Sequence, residues 1–181
     1  MKITPLKLAG TYEITATPIH DERGYFQRTY DQAMLRELGL QTEWAQENQS
    51  FSARKHIIRG LHFQKPPKAE TKLVRVVQGV VWDVFVDLRK DSPTYGRWDA
   101  VELAAEKHNM VYIPRGFAHG FCTLTPACLV QYKVDSPYAP DLQDGLRWCD
   151  PTLNISWPTT DPILSPRDRE LGFFKDYVSP F

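Results

Sequence analysis

The chain has 181 residues, enough for one domain with a sizeable core. Its 22 Lys and Arg balance 22 Asp and Glu, so the net charge is zero; that argues against a general nucleic-acid or membrane-surface binder and leaves room for a local basic cluster. Three cysteines without CxxC spacing argue against a disulfide framework or a zinc ribbon, and without a long apolar run no signal peptide or bilayer span is expected, which makes the cytoplasm the expected location.

Residues from about 1 to 20 read as an edge strand or arm, because Leu6, Leu8, Tyr12, Ile14 and Ile19 are broken by Pro5 and Pro18. Asp21-Glu-Arg-Gly24 is a turn signal, followed by a strand candidate over Tyr25–Tyr30. Asp31–Gly39 is the clearest helix: Asp31 caps it, Met34, Leu35 and Leu38 share a face, and Gly39 ends it. Trp44–Phe51 reads as a strand, residues 53–56 as a polar turn, and Ile57–Gln64 as a second strand. Pro66-Pro67 then forces an irregular excursion, since neither proline donates to a ladder.

Lys72–Leu88 is the strongest β signal, with Gly79 marking a bend or bulge. Val80, Trp82, Val84, Val86 and Leu88 fall on one face, and Val81, Asp83, Phe85 and Asp87 on the other. Short strands follow at 98–104 and 110–113. Pro114–Phe121 is a turn running into a strand, and Cys128–Val134 alternates again. After Tyr138 the pattern decays into proline-punctuated loops, and the tail from about 150 to 181 holds a short helix near Arg167–Leu171. About ten short strands with turns at regular spacing point to an all-β sandwich or barrel with one or two small helices outside it.

Two strands flanking the proline excursion bring His62 and Lys72 to one mouth, pairing a base with an electrostatic stabiliser. Each candidate also has a plain structural reading. His62 can be a core histidine bonded to backbone and Lys72 a snorkelling surface lysine. His119, in Pro-x-Gly-x-x-His, can pack a turn, and Tyr132 can be a core tyrosine. Asp168 between two arginines can be a solvated ion-pair cluster. Arg59 interrupts an apolar run and is harder to dismiss. Strict alternation puts it on the face opposite His62, unless the strand is bulged at Gly60. His62, Glu70 and His119 also raise a two-histidine, one-carboxylate metal site, although the His-x-His of metal cupins is replaced by His62-Phe63-Gln64.

At these residues the sequence resembles the dTDP-4-dehydrorhamnose 3,5-epimerase family of nucleotide-sugar epimerases. The resemblance rests on Asp21-Glu-Arg-Gly-Tyr-Phe26, Gln46-Glu-Asn48, Arg59-Gly-Leu-His-Phe-Gln64, Lys72-Leu-Val-Arg-Val-Val-Gln-Gly79, Asp83-Val-Phe-Val-Asp-Leu-Arg89, Ser92-Pro-Thr-Tyr-Gly96, Ile113–Phe121, Tyr138-Ala-Pro140, Arg147–Pro151 and Pro162–Ser165, in order along almost the whole chain. It implies a jelly-roll cupin fold over residues 1–181, a homodimer exchanging its N-terminal strands, and no metal or other cofactor. It implies a dTDP-sugar as substrate, with His62 as base, Asp168 as its partner, Tyr132 as proton donor and Lys72 as enolate stabiliser. It further implies Tyr138 stacking on the base, and Arg23, Gln46, Asn48, Arg59 and His119 as substrate-binding positions. Arg28, Gln143 and Arg167 depart from the family pattern of glutamate, glutamate and lysine at ligand-contacting positions. They keep open an enzyme acting at carbon 3 only or carbon 5 only, or on GDP- or CDP-sugars. A metal-dependent cupin and a non-catalytic sugar-nucleotide binder are the readings from other classes.

Overall fold

The computed structural model describes residues 1–181. In chain order its elements are β1 (Lys2–Pro5), β2 (Tyr12–Thr15), β3 (Ile19–Asp21), β4 (Gly24–Phe26), α1 (Gln32–Glu37), β5 (Gln46–Ser52), β6 (Ile58–Gln64), β7 (Lys72–Gln78), β8 (Val80–Asp87), β9 (Trp98–Ala104), β10 (Asn109–Ile113), β11 (Phe117–Thr123), β12 (Cys128–Val134), β13 (Gln143–Gly145) and α2 (Pro166–Glu170). Six strands form one sheet in the order β1-β2-β10-β7-β12-β5, and five form another in the order β13-β6-β11-β8-β9. All pairings within these sheets are antiparallel. From β5 onward nearly every strand crosses to the opposite sheet, and this winding makes the sandwich a jelly roll.

The alternation along each strand explains the layers. Val81 and Phe85 of β8 meet Val74 and Val76 of β7 in the core between the sheets. The intervening Val84 and Val86 face outward, where Leu153, Trp157, Phe174 and Phe181 of the C-terminal tail cover them. The tail therefore lacks strand pattern because it is a lid on a sheet. On the other outer face, Leu35 of α1 sits against Ile14, Leu73 and Met110. Its burial to 3% exposure is worth ~2 kcal/mol. Asp31 Oδ1 accepts from the N–H of Ala33 and Met34, and Gly39 takes a φ of +66° just past the helix. Leu38 leaves the expected apolar face and is 49% exposed, because so short a helix lays only one turn on the sheet.

Three boundaries differ from expectation. The Tyr25–Tyr30 strand shrinks to Gly24–Phe26, which pairs only with Ile19–Asp21 and lies outside both sheets. The first twenty residues divide accordingly: β1 and β2 join the edge of the six-stranded sheet, and the β3–β4 hairpin stands alone. Gln143–Gly145 forms a strand on the edge of β6, although three polar or small residues carry no alternation to announce it.

One irregularity controls the site. Along the β6–β11 pair His62 faces His119 but Arg59 faces Phe121, so β6 holds one extra residue in that interval. This bulge at Gly60 returns Arg59 and His62 to the same side. Gly60 has a φ of +117°, and a β-carbon built on it would lie 2.7 Å from both Gly120 Cα and His119 O. Gly60→Ala is therefore expected to cost ~3 kcal/mol from left-handed backbone and overpacking together. A urea midpoint well below that of the parent, at unchanged m-value, is the expected result; equal stability would contradict this account of the bulge.

Candidate active site

A cavity of about 660 Å3 opens at one end of the sandwich, between the two sheets. The five-stranded sheet contributes Arg59, His62 and Gln64 from β6 and His119 from β11. The facing sheet contributes Gln46 and Asn48 from β5, Lys72 from β7 and Tyr132 from β12. Glu70, Tyr138, Gln143, Arg167 and Asp168 complete the rim. The proline excursion after β6 carries the chain across the mouth, so His62 and Lys72 face each other from opposite sheets.

His62 is held from behind. Its Nε2 lies 2.6 Å from Asp168 Oδ1. Asp168 is 3% exposed in α2, where Ser165 caps the helix. Burial alone would raise the Asp168 carboxyl. The His62 hydrogen bond and charge, with further hydrogen bonds from Ser165 and the Gly60 N–H, outweigh that and hold it below the usual carboxylate range. An ionised carboxylate on one ring nitrogen fixes the tautomer and the orientation of the ring.

His119 has a comparable support that sequence reading missed. Its Nε2 contacts both oxygens of Asp83, at 3.0 and 2.9 Å. Asp83 is fully buried, and burial pushes its carboxyl up, offset only in part by His119 and Lys72. The available signal was a charged residue on the inward face of the apolar strand β8. Lys72 is likewise paired, its Nζ bonded to Glu70, and the ammonium lies 5.6 Å from the centroid of the Tyr132 ring. The Tyr132 phenol is pushed up by burial first and by the Glu70 charge second, against the opposing charge of Arg59. It is consequently protonated at neutral pH, as a donor must be.

Gln64 organises one side of the rim. Its amide donates to the carbonyls of Lys68 and Pro137, and its oxygen accepts from the Ala139 N–H, stapling the Tyr138 loop to β6. Gln143 Oε1 accepts from both Tyr138 Oη, at 3.0 Å, and Arg167 Nη1, at 2.6 Å. Two of the departures from the family pattern therefore bond to each other. The third, Arg28, lies outside the cavity and pairs with the cap residue Asp31 at 2.7 Å. Arg23 does not reach the cavity of its own chain: it sits at the tip of the β3–β4 hairpin, its side chain 84% exposed and paired with Asp21. Nor do His62, Glu70 and His119 converge as metal ligands. Each turns to a different partner, Asp168, Lys72 and Asp83 respectively, and no three such side chains cluster in the chain.

A family model for dTDP-4-dehydrorhamnose 3,5-epimerase matches residues 5–176. The chain belongs to this epimerase family. A dTDP-4-dehydrorhamnose 3,5-epimerase of Methanothermobacter thermautotrophicus is 47% identical over 165 residues, covering 90% of this chain and 88% of its own. The crystal structure of the Bacillus anthracis dTDP-4-dehydrorhamnose 3,5-epimerase, with TDP and PPi bound, superposes with a TM-score of 0.93 at 46% identity and covers 95% and 98% of the two chains. The Legionella pneumophila epimerase RmlC, in complex with dTDP-4-keto-L-rhamnose, gives a TM-score of 0.90 at 36% identity over 95% and 92%. The epimerase family accounts for the jelly roll and places this chain among isomerases. No helix is long and apolar enough to cross a membrane.

Proposed function

We propose that this epimerase inverts the carbons on both sides of the ketone in a dTDP-linked 4-keto-6-deoxy sugar, acting at carbons 3 and 5. The observation that carries the reading is the placement of an imidazole and a phenol on facing walls of one cavity, with an ammonium beside the phenol. The 4-keto group acidifies its neighbouring C–H bonds. His62 takes one of these protons, and the electron pair moves onto the ketone oxygen to give an enolate. Lys72 stabilises that oxygen; one preorganised donor of this kind is worth ~3 kcal/mol. Tyr132 then returns a proton to the opposite face, the carbonyl re-forms, and both groups re-equilibrate with water. No redox partner is consumed.

The remaining positions follow from ligand chemistry. Arg59 matches the demand of a diphosphate for a planar, forked donor. Gln46, Asn48 and His119 offer hydrogen bonds to the sugar, and Tyr138, 58% exposed at the rim, offers a face to the base. The bound nucleotide of the Bacillus protein and the keto-sugar of the Legionella protein support a dTDP-sugar here. We also infer a cytoplasmic homodimer in which the projecting hairpin passes to the second copy and Arg23 meets the diphosphate there. The exposed Ile19 and Phe26 on that hairpin support its being covered by a partner.

The test is a panel of dTDP-, GDP- and CDP-4-keto-6-deoxyglucose in deuterium oxide. Label at carbons 3 and 5, fastest with dTDP, is expected. Label at one carbon alone would replace the reading with a monoepimerase, and no label with any substrate would overturn it.

A further inference from the structure

Lys72 is held by a carboxylate to which the mechanism above gives no task. Glu70 and Lys72 flank Thr71, whose backbone N–H donates to Asp135 Oδ1 at 2.7 Å. Asp135 is itself fixed, by Arg115 at 3.0 Å and by the Gln41 side-chain amide at 3.0 Å. Glu70 and Lys72, on either side of the pinned Thr71, both line the cavity. Both charges are deep: the side chains are 10% exposed for Lys72 and 12% for Glu70.

We propose that Glu70 is a positioning residue for the proton-donor side of the reaction: its carboxylate fixes the Lys72 ammonium and keeps a negative charge beside the Tyr132 phenol. The proposal rests on the epimerase reading above. Two physical arguments support it. An ammonium on a flexible four-carbon stem needs a partner to hold it where an enolate oxygen can meet it. Glu70 does this while occupying only one of three N–H donors, leaving two for the ketone oxygen. The second argument concerns the phenol. The charged and titratable groups that line the cavity with it are Glu70, Lys72 on β7, Arg59 and His62 on β6, His119 on β11, and Arg167 and Asp168 on α2; Glu47 on β5, Arg75 on β7 and Lys133 on β12 share a second, smaller cavity with it. His62 and His119 each have their own carboxylate, Asp168 and Asp83. Arg59 is tethered to Ser52 and the Phe51 carbonyl and draws the phenol down. Glu70 is the group that opposes Arg59, and it favours the protonated phenol that the second half-reaction needs.

The test uses Glu70→Gln, which keeps shape and removes charge. The Tyr132 phenol is titrated by ultraviolet difference absorbance, with Tyr132→Phe in the same background as the blank and no substrate present. In Glu70→Gln the phenol is expected to ionise at lower pH than in the parent, and the alkaline limb of kcat to move the same way with KM for the dTDP-sugar unchanged. Glu70→Asp, which keeps the charge, is expected to leave the phenol near its parent position. An unmoved or raised phenol in Glu70→Gln overturns the proposal, as does an equal shift in the Asp and Gln variants. Should Glu70→Gln not fold, the double variant with Lys72→Gln leaves no unpaired charge, and its phenol must still ionise below that of Lys72→Gln alone. Because the titration needs no turnover, its outcome is independent of whether the epimerase reading holds.

Discussion

A His62→Ala chain is expected to leave the protons beside the ketone untouched. The substitution removes the one titratable group on the β6 wall that is both aimed at the cavity and backed by a buried carboxylate. A positioned general base contributes ~10²–10⁴ in rate, and enolisation cannot begin without one. Inversion and solvent exchange should therefore fall together, by ~10³-fold or more. The loss should not reflect unfolding. His62 is partly exposed at the cavity wall, and its neighbours Leu61 and Phe63 hold β6 in the apolar cluster on the outer face. Deuterium content of recovered substrate, read by mass spectrometry, checks the result. Labelling at the parent rate would remove His62 from the role of base.

Tyr132→Phe is expected to separate two events that the parent couples. The ring remains to pack against the inter-sheet core and to lie beside the Lys72 ammonium, and only the hydroxyl is lost. His62 still takes the proton, exchanges it with solvent and returns it to the face it came from. Exchange should survive within about tenfold of the parent while inversion falls by ~10²–10⁴, the usual worth of a positioned acid. Full inversion by this variant would refute the phenol as donor. Loss of exchange together with inversion would show that the hydroxyl serves the first step instead.

Much of this arrangement was legible in the sequence because strands and turns write themselves locally. The period-two run from Val80 to Leu88 placed the inner and outer faces of β8 correctly, and Asp31 with Gly39 bracketed α1. The relation of His62 to Lys72 was legible only in part. Their proximity followed from the proline excursion, but their lying on opposite sheets depends on β6 and β7 crossing the sandwich, a long-range property of topology. The conflict between Arg59 and His62 also needed coordinates, since a bulge changes face without changing composition. Asp83 went unassigned, and Glu70 was read as a metal ligand when it pairs with Lys72, because a buried carboxylate looks the same in sequence whatever it pairs with. The role proposed for Arg23 calls for a second chain, and pattern along one chain does not record a partner.

The account stands most directly on one comparison: the deuterium in uninverted sugar recovered from Tyr132→Phe and from His62→Ala, run side by side in deuterium oxide. An imidazole on one wall and a phenol on the other predict label beside the ketone in the first sample and none in the second. Label in both samples, or in the His62→Ala sample alone, would contradict it.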